Sequence, residues 1–293
     1  MEITKLKYFK VVANMNNITE AAKRLNISQP ALSKAIASIE DELGVALFDR
    51  KGRHIYLNRY GELMLNYIDS AFRELNEGER IIKELTGIES GQVTFAVTFP
   101  HVMPLLIQNY VSRHPNIKIK QYQAISERAT HLILNNEVDF AISSFKTEHR
   151  DISWEPIIQD DIYLTVSKEH PLSQCTSIEL TQIKDERLIG QIEGYGFRDT
   201  IDHILKQEGI VPNYQVEVED SSAILKLVAM NIGISFTPKQ ALRNLDKQIV
   251  AIPINNEHCY REIGLAYKKS HYFTEVASSF KTFVTDYFQN HIT

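Results

Sequence analysis

Apolar positions near the N-terminus recur at helical spacing and predict a cluster of short helices. In the clearest case four apolar residues fall three or four positions apart, so they share one helix face: Leu32, Ile36, Ile39 and Leu43. Ser28 is the predicted N-cap of this helix, and Pro30 lies in its first turn, where a missing N–H is tolerated. We therefore expect a helix that begins just after Ser28.

Two more helices are expected ahead of this one. The first is indicated by apolar positions at helical spacing, namely Leu6, Phe9, Val12 and Ala13. The second covers residues 20–25, with Thr19 as its predicted N-cap and only Asn26 and Ile27 before Ser28. Three short helices with a tight turn before the third are typical of a helix-turn-helix.

The third helix carries small or hydrogen-bonding side chains on the face opposite its apolar stripe. Alanines at positions 31, 35 and 37 keep this face slim, which suits entry into a DNA major groove about 12 Å wide. Gln29, Ser33 and Lys34 stand near the N-terminal end, which usually meets the base edges. We expect DNA contact through this face; a helical bundle without a ligand is the alternative.

Residues 58–88 contain no proline and predict one long helix. Its apolar positions lie along one side: Leu65, Ile68, Phe72, Leu75, Ile82 and Leu85. A helix of about thirty residues spans roughly 45 Å, which is longer than one small domain can cover. Such a helix needs a partner, either a second copy of the chain or another part of its own chain.

Beyond Gly91, short β-branched runs alternate with helical stretches, which predicts a parallel α/β fold. The expected strands are QVTFAV, IKIKQY and DFAIS, followed by YLTVS, LIGQ, YQVEVED, ISFTP and IGLAYKK. Helices are expected near 101–113, 126–136, 197–208 and 221–231, and a terminal helix carries the apolar positions between Phe273 and Phe288.

The net charge of the 293-residue chain is −5, but it is unevenly distributed. Residues 1–60 hold ten lysines and arginines against six acids, a net charge of +4, which leaves −9 for the remainder. A basic N-terminal segment followed by an acidic remainder indicates that only the N-terminal end binds nucleic acid.

Several classes of protein are disfavoured by the sequence. No apolar run approaches the roughly 18 residues of a membrane span, and the N-terminus lacks the apolar core of a signal peptide, so a cytoplasmic location is expected. Cys175 and Cys259 are too few for a disulfide framework, and redox sensing by Cys175 is disfavoured. The ten histidines show no ligand spacing, so no metal site is expected.

Catalytic signatures are also missing from the sequence. Gly194-Tyr195-Gly196 lacks the third glycine of a dinucleotide loop and the lysine of a phosphate loop. The chain has no GxSxG elbow, no HExxH pair and no CxxC motif. We expect no catalytic residues and a protein that is not an enzyme.

The run AAKRLNISQPALSKAIASIEDELGVALFDR resembles the signature of the LysR-type transcriptional regulators, and SQPALS and LGVALFDR match it almost unaltered. The next segment, DRKGRHIYL, resembles the wing of that family, which implies DNA contacts for Arg50 and Arg53, with Arg53 near the minor groove. The expected DNA-binding residues are Ser28, Gln29, Pro30, Ser33, Lys34, Arg50 and Arg53. The family motif continues with threonine and alanine, where this chain has Asn58, which still caps a helix, and the bulkier Tyr60.

The resemblance continues to the end of the chain through NNEVDFAI, VSKEHPL, GYGFRDTI and LVAMNIGISFTP. It implies an N-terminal all-α winged helix-turn-helix at 1–60, a linker and dimerisation helix at 61–90, and an α/β effector domain at 91–293. That domain would have two lobes like those of periplasmic binding proteins, with lobe I at 91–161 and 266–293 and lobe II at 162–265. Asn136 and Asn231 stand where the family often has glycine, so left-handed turns are expected there.

A two-lobe α/β unit binds ligands in its cleft, at the ends of strands and the starts of helices. The resemblance carries effector contacts to Phe99, Pro100, Ser126 and Phe197, and also to Ser143 and Thr237. Ser126 is also expected to cap its helix. His101, Arg128 and Arg198 would favour a carboxylate effector, although Glu127 and Glu193 lie close by.

The resemblance also implies partners. A homodimer or a dimer of dimers would bind an interrupted inverted repeat of double-stranded DNA, with RNA polymerase as a further candidate partner. It implies a small-molecule effector, no cofactor and no membrane. The alternative is a solute-binding or enzymatic α/β domain with an accessory DNA-binding head, against which the missing catalytic motifs and signal peptide both count.

Overall fold

The computed structural model describes residues 1–51, 54–86, 91–99, 102–144, 146–243 and 245–291. Contacts between residues divide the chain into two units, Met1–Ile82 and Lys83–Thr293. Within the described ranges, no helix is both long enough and apolar enough to cross a membrane.

The first unit is built from three short helices and a pair of strands. The helices are α1 (Ile3–Met15), α2 (Ile18–Arg24) and α3 (Gln29–Leu43). The strands β1 (Phe48–Lys51) and β2 (His54–Leu57) pair antiparallel. The predicted apolar faces meet in one core, whose fully buried members include Phe9, Val12, Leu32 and Ile39. A helix-turn-helix followed by a β wing is therefore confirmed.

Polar side chains fix where α2 and α3 begin. The Ala31 N–H donates to the Ser28 Oγ at 3.4 Å, so Ser28 caps α3 as predicted. The prediction that Thr19 caps α2 is wrong. The cap is Asn17, whose Oδ1 accepts hydrogen bonds from the N–H groups of Thr19 and Glu20 at 3.0 and 3.2 Å. An asparagine side chain reaches the N–H groups two and three residues ahead, so the helix starts earlier than predicted.

The long predicted helix is α4 (Arg59–Leu85). Asn58 caps it as predicted, because its Oδ1 accepts hydrogen bonds from the N–H groups of Tyr60 and Gly61 at 2.9 and 3.0 Å. Glycine is required at position 61, since a Cβ there would collide with the Leu47 carbonyl oxygen. The bulky Tyr60 does not disturb this packing because its side chain is 57% exposed.

The second unit contains two α/β lobes. Lobe I has the parallel strands β3 (Gln92–Val97), β4 (Lys118–Gln123) and β5 (Phe140–Ser143), with β3 in the middle. Its helices are α5 (Met103–Val111), α6 (Ser126–Leu134) and the last helix of the chain, α9 (Glu275–His291). The α9 helix packs on the sheet through Phe280, which contacts the rings of Phe95 and Phe140 at 5.2 and 6.1 Å.

Lobe II is built around a second group of strands. These are β7 (Leu188–Gln191) and β8 (Tyr214–Val218), which are parallel, then β9 (Ser235–Pro238) and β10 (Ile249–Pro253). A bridge between Leu188 and Ile234 joins β7 to the chain entering β9. The helices are α7 (Gly196–Gln207) and α8 (Ser222–Ala229).

Two strands connect the lobes. The sixteen-residue β6 (Ile152–Ser167) pairs antiparallel with β11 (Tyr260–Lys268) as far as Asp161. From Ile162 onward it pairs with β9 and β10 instead. The β11 strand also pairs with β5, so both crossing strands belong to the sheet of lobe I at one end. The left-handed turns predicted at Asn136 and Asn231 are confirmed by φ angles of 52° and 57°.

Candidate functional site

The outward face of α3 presents the residues predicted to contact DNA. Ser28, Gln29, Pro30 and Lys34 are exposed, and Ser33 is half-buried. The Gln29 Nε2 donates a hydrogen bond to the Ser33 Oγ at 3.0 Å. Hydrogen-bonding groups and a cation thus share a helix face whose remaining side chains are small, which is the shape that a major groove admits.

The wing strands are tied to the end of α3. Glu40 accepts hydrogen bonds at its Oε1 from the N–H groups of Leu47 and Phe48, at 2.7 and 3.3 Å. Arg50 lies in β1 opposite Ile55. The Arg50 side chain and the whole of residue 53 lie outside the described residues, so the DNA contacts of these two arginines stay predictions.

A cavity of about 320 Å³ lies between the two lobes of the second unit. It is lined by three predicted effector residues, Phe99, Phe197 and Thr237. Phe99 follows the end of β3, Phe197 lies in the first turn of α7, and Thr237 belongs to β9. The structure therefore brings strand ends and a helix start from both lobes to one cleft, the arrangement in which α/β units bind ligands.

A buried ion pair lies at the crossing strands beside this cavity. The Arg261 guanidinium donates from its Nε to the Asp160 Oδ2 at 2.8 Å, and its Nη2 lies 2.8 Å from the same oxygen. Both residues are 2% exposed. Burial raises the pKa of the Asp160 carboxyl above its ordinary value, and the neighbouring Arg261 guanidinium opposes that rise.

Arg261 also contacts aromatic rings of both lobes. Its guanidinium carbon lies 4.8 Å from the centroid of the Phe99 ring and 5.6 Å from that of Phe197. Phe99 belongs to lobe I and Phe197 to lobe II, so one cation is held between a ring from each side of the cleft.

Arg198, a predicted effector contact, is held by side chains and a carbonyl group of its own lobe. Its Nε donates to the Asp202 Oδ2 at 2.7 Å, and its Nη1 donates to the Glu217 Oε1 at 2.6 Å and the Gln191 carbonyl at 2.7 Å. The guanidinium also lies 3.4 Å from the centroid of the Tyr214 ring. These contacts hold α7 against β7 and β8, and Arg198 is not in the described cavity lining, so its contact with an effector stays a prediction.

Ser126 opens α6 but does not cap it, so the predicted cap is wrong. The N-cap is Ile125, and no side chain accepts a hydrogen bond there. The Ser126 Oγ is buried without a hydrogen-bond partner among the described residues, and Ser126 is not in the described cavity lining. Ser143 is buried within β5, whereas its neighbour Ser144 lines the cavity.

The remaining predicted effector residues, Pro100 and His101, lie outside the described residues.

Both cysteines are free thiols. Burial raises the pKa of the Cys259 thiol to about 12, so Cys259 stays protonated at neutral pH and lacks the reactive thiolate form.

Comparison with known proteins decides the family. Residues 3–62 match the family described as "bacterial regulatory helix-turn-helix protein, lysR family". Residues 87–289 match the LysR substrate binding domain. The chain belongs to the LysR family of transcriptional regulators. Its N-terminal helices form the DNA-binding helix-turn-helix of that family, and its α/β unit is the effector-binding domain.

Relatives in the LysR family match nearly the whole chain. The HTH-type transcriptional regulator YybE of Bacillus subtilis is 34% identical over 294 residues, which cover 98% of this chain and 99% of the relative. The solved structure of full-length CbnR complexed with its target DNA has a TM-score of 0.71 at 23% identity, and it covers 98% of this chain and 99% of its own. The effector-binding domain of QuiR in complex with shikimate has a TM-score of 0.62 at 27% identity, and it covers 70% of this chain and 100% of its own.

Three residues of the LysR effector domain, at or beside the cavity, were not predicted from the sequence. They are Asp160, Gln240 and Arg261. The signal available was a charged residue two or three positions ahead of the expected strands YLTVS and IGLAYKK, in DDIYL and REIGLA. Gln240 gave no signal, because nothing local distinguishes a buried glutamine from an exposed one.

Proposed function

We propose that this LysR-family chain reads DNA with the outward face of α3 and adjusts that binding to a small molecule held in the cleft. The exposure of Gln29 and Lys34 on a slim helix face carries the first half of the proposal. We assign base contacts to Gln29, Ser33 and Lys34, with Ser28 and Pro30 at the entry to the groove.

The DNA target that we propose is an interrupted inverted repeat bound by a homodimer. Two copies related by a twofold axis present two α3 helices to two half-sites. Exposed apolar residues recur along α4 at intervals that keep them on one face, namely Tyr60, Leu63, Tyr67, Leu75, Ile82 and Leu85. We propose that a second copy of the chain covers this stripe. A dimer of dimers and contact with RNA polymerase are extensions of the same proposal.

The effector site that we propose is the cavity between the lobes. Phe99, Phe197 and Thr237 line it, and Pro100 and His101 follow Phe99 directly in the sequence. The crossing strands β6 and β11 run beside the cavity, so closure of the lobes around a ligand would act on the strands that join them. We propose no cofactor and no metal ion.

We further propose that the chain is not an enzyme and that it works in the cytoplasm. The described cavity lining consists of apolar, aromatic, hydroxyl and amide side chains with two arginines. Among these described residues there is no carboxylate, histidine, lysine or cysteine, the groups that most often act as general acids, bases or nucleophiles. This composition supports binding rather than chemistry.

Substitution of Lys34 tests the DNA-reading half of the proposal. Lys34→Ala should weaken binding to a duplex that the chain selects from a random pool, by about 1–3 kcal/mol if a base contact is lost. Lys206→Ala is the matched control, because Lys206 is an exposed lysine in lobe II. Binding would be measured by fluorescence anisotropy on selected and scrambled duplexes. Equal affinity of Lys34→Ala and the parent chain would refute the assignment of α3.

A further inference from the structure

Gln240 combines burial with an unpaired side chain. It lines the cavity from the 3-10 turn Lys239–Leu242, which follows β9, and it is 6% exposed. Neither its Oε1 nor its Nε2 has a hydrogen-bond partner among the described residues. Buried polar side chains are normally satisfied, so an amide that lacks partners for its donor and its acceptor points to a group that binds there.

The lack of a partner is not general to the buried polar side chains of the cavity wall. Thr237 lies three residues earlier, lines the same cavity and is 4% exposed. Its hydroxyl lies 2.8 Å from the Thr165 hydroxyl, within hydrogen-bond distance. The fold therefore satisfies one buried polar side chain at this wall and leaves its neighbour open.

Gln240 is also connected to the junction between the lobes. Its backbone N–H donates to the Asp160 Oδ1 at 3.3 Å, and Asp160 pairs through its Oδ2 with Arg261. Arg261 in turn lies between Phe99 and Phe197, one ring from each lobe. A molecule held by Gln240 is therefore two contacts away from the cation that touches both sides of the cleft.

The chemistry of the cavity selects among ligands. Of the arginines in its described lining, Arg261 is already paired with Asp160, and Arg243 is exposed. A carboxylate would pair with the Gln240 Nε2 but would meet Oε1 as one acceptor facing another. A group that carries an N–H donor beside a carbonyl acceptor can satisfy both amide atoms at once.

We propose that Gln240 determines the specificity of the cleft and that the effector is an uncharged small molecule with a carboxamide-like group, such as an amide, lactam or ureide. This inference rests on the proposed effector site. It replaces the expected carboxylate, for which Arg198 was one of the main supports. The apolar part of the ligand would pack on Phe197, Phe236 and Leu225, which line the same cavity.

Thermal melting of the full-length chain provides the first test. Gln240→Leu removes an unpaired amide while keeping most of its volume, so it should raise Tm by about 2–4 °C. Thr237→Val removes a paired hydroxyl from the same wall and should lower Tm. A fall in Tm for Gln240→Leu that matches the fall for Thr237→Val would show that the amide is satisfied in the free protein, which overturns the proposal.

Calorimetric titration of the full-length chain with benzamide and benzoate provides the second test, because the two probes share a ring and differ in the group that meets Gln240. Benzamide should bind about tenfold more tightly than benzoate, and Gln240→Leu should remove the difference. Tighter binding of benzoate, or equal binding of benzamide to parent and variant, overturns the carboxamide class. If benzoate alone binds and Phe197→Ala weakens it, the effector site stands and only the class fails. If neither probe binds, the inference about Gln240 fails.

Discussion

At the scale of single residues, the stability of the junction between the two lobes depends on Asp160 and Arg261. Arg261 is fully buried, and its charge is balanced by one carboxylate at 2.8 Å. Removing one partner of a buried ion pair costs far more than the pair contributes, because the remaining charge stays buried alone. We therefore expect the ion pair to hold β6 and β11 together where they cross between the lobes.

Asp160→Asn should destabilise the chain by about 3–5 kcal/mol, since it leaves the Arg261 charge unpaired. Asp161→Asn is the matched control, because Asp161 is adjacent in β6 but exposed. Urea unfolding followed by circular dichroism would compare the two variants with the parent. Equal urea midpoints for both variants would mean that the ion pair does not stabilise the fold.

The sequence predicted those single residues whose role depends on close neighbours. Ser28 and Asn58 cap helices as expected, because a cap needs only N–H groups two or three residues ahead. The contacts of Arg198 were not predicted, because its partners include Glu217, which lies on β8 and is brought near only by the fold. Ser126 failed as a cap by one position, since α6 takes Ile125 as its N-cap.

At the scale of elements, α4 has two apolar faces, one buried in the core of the first unit and one exposed. Ile68 is 2% exposed and packs with Leu65 and Phe72 on the core of the first unit. Leu75, Ile82 and Leu85 were predicted on the same side but are 55–63% exposed. Helical spacing groups these three with Leu63 and Tyr67 instead, on a second stripe. A helix of 27 residues is about 40 Å long, enough to present both faces.

Leu75→Glu should weaken the homodimer, because it places a charge in the stripe that a second copy is proposed to cover. Asn76→Glu adds the same charge one position along, on a different face of α4, and should leave the dimer intact. Analytical ultracentrifugation over a concentration series would give both dissociation constants. If the parent chain sediments as a monomer, or if the two variants have equal dissociation constants, the proposal that α4 forms the dimer interface is wrong.

Strands with regular apolar patterns were predicted, and irregular ones were not. YLTVS marked only the last part of β6, because its first part contains Pro156, which lacks an N–H for the ladder. In the structure Pro156 faces Gly264, where the register with β11 shifts after Ile263, so the irregularity accommodates the proline. The β10 strand was missed altogether, since a five-residue run that ends in proline gives little periodicity.

At the scale of the whole molecule, charge and architecture assign the two ends of the chain to different partners. The first 60 residues carry a net charge of +4 and the remainder −9, which attracts DNA phosphates to the helix-turn-helix alone. The order of helices and strands along the sequence was enough to predict a helical N-terminal part followed by an α/β part. The positions of Asp160, Gln240 and Arg261 at or beside the cavity were not predicted, because these residues meet through contacts between segments that are distant in the sequence.

Selection of duplexes from a random DNA pool by the full-length chain, read by sequencing, tests the central proposal most directly. The parent chain should enrich an interrupted inverted repeat whose half-sites lie a whole number of helical turns apart, at about 10–10.5 base pairs per turn. Gln29→Ala with Lys34→Ala should relax the preference at defined positions in each half-site. Failure of the parent to enrich any sequence, or an unchanged consensus for the double variant, would contradict DNA reading by α3.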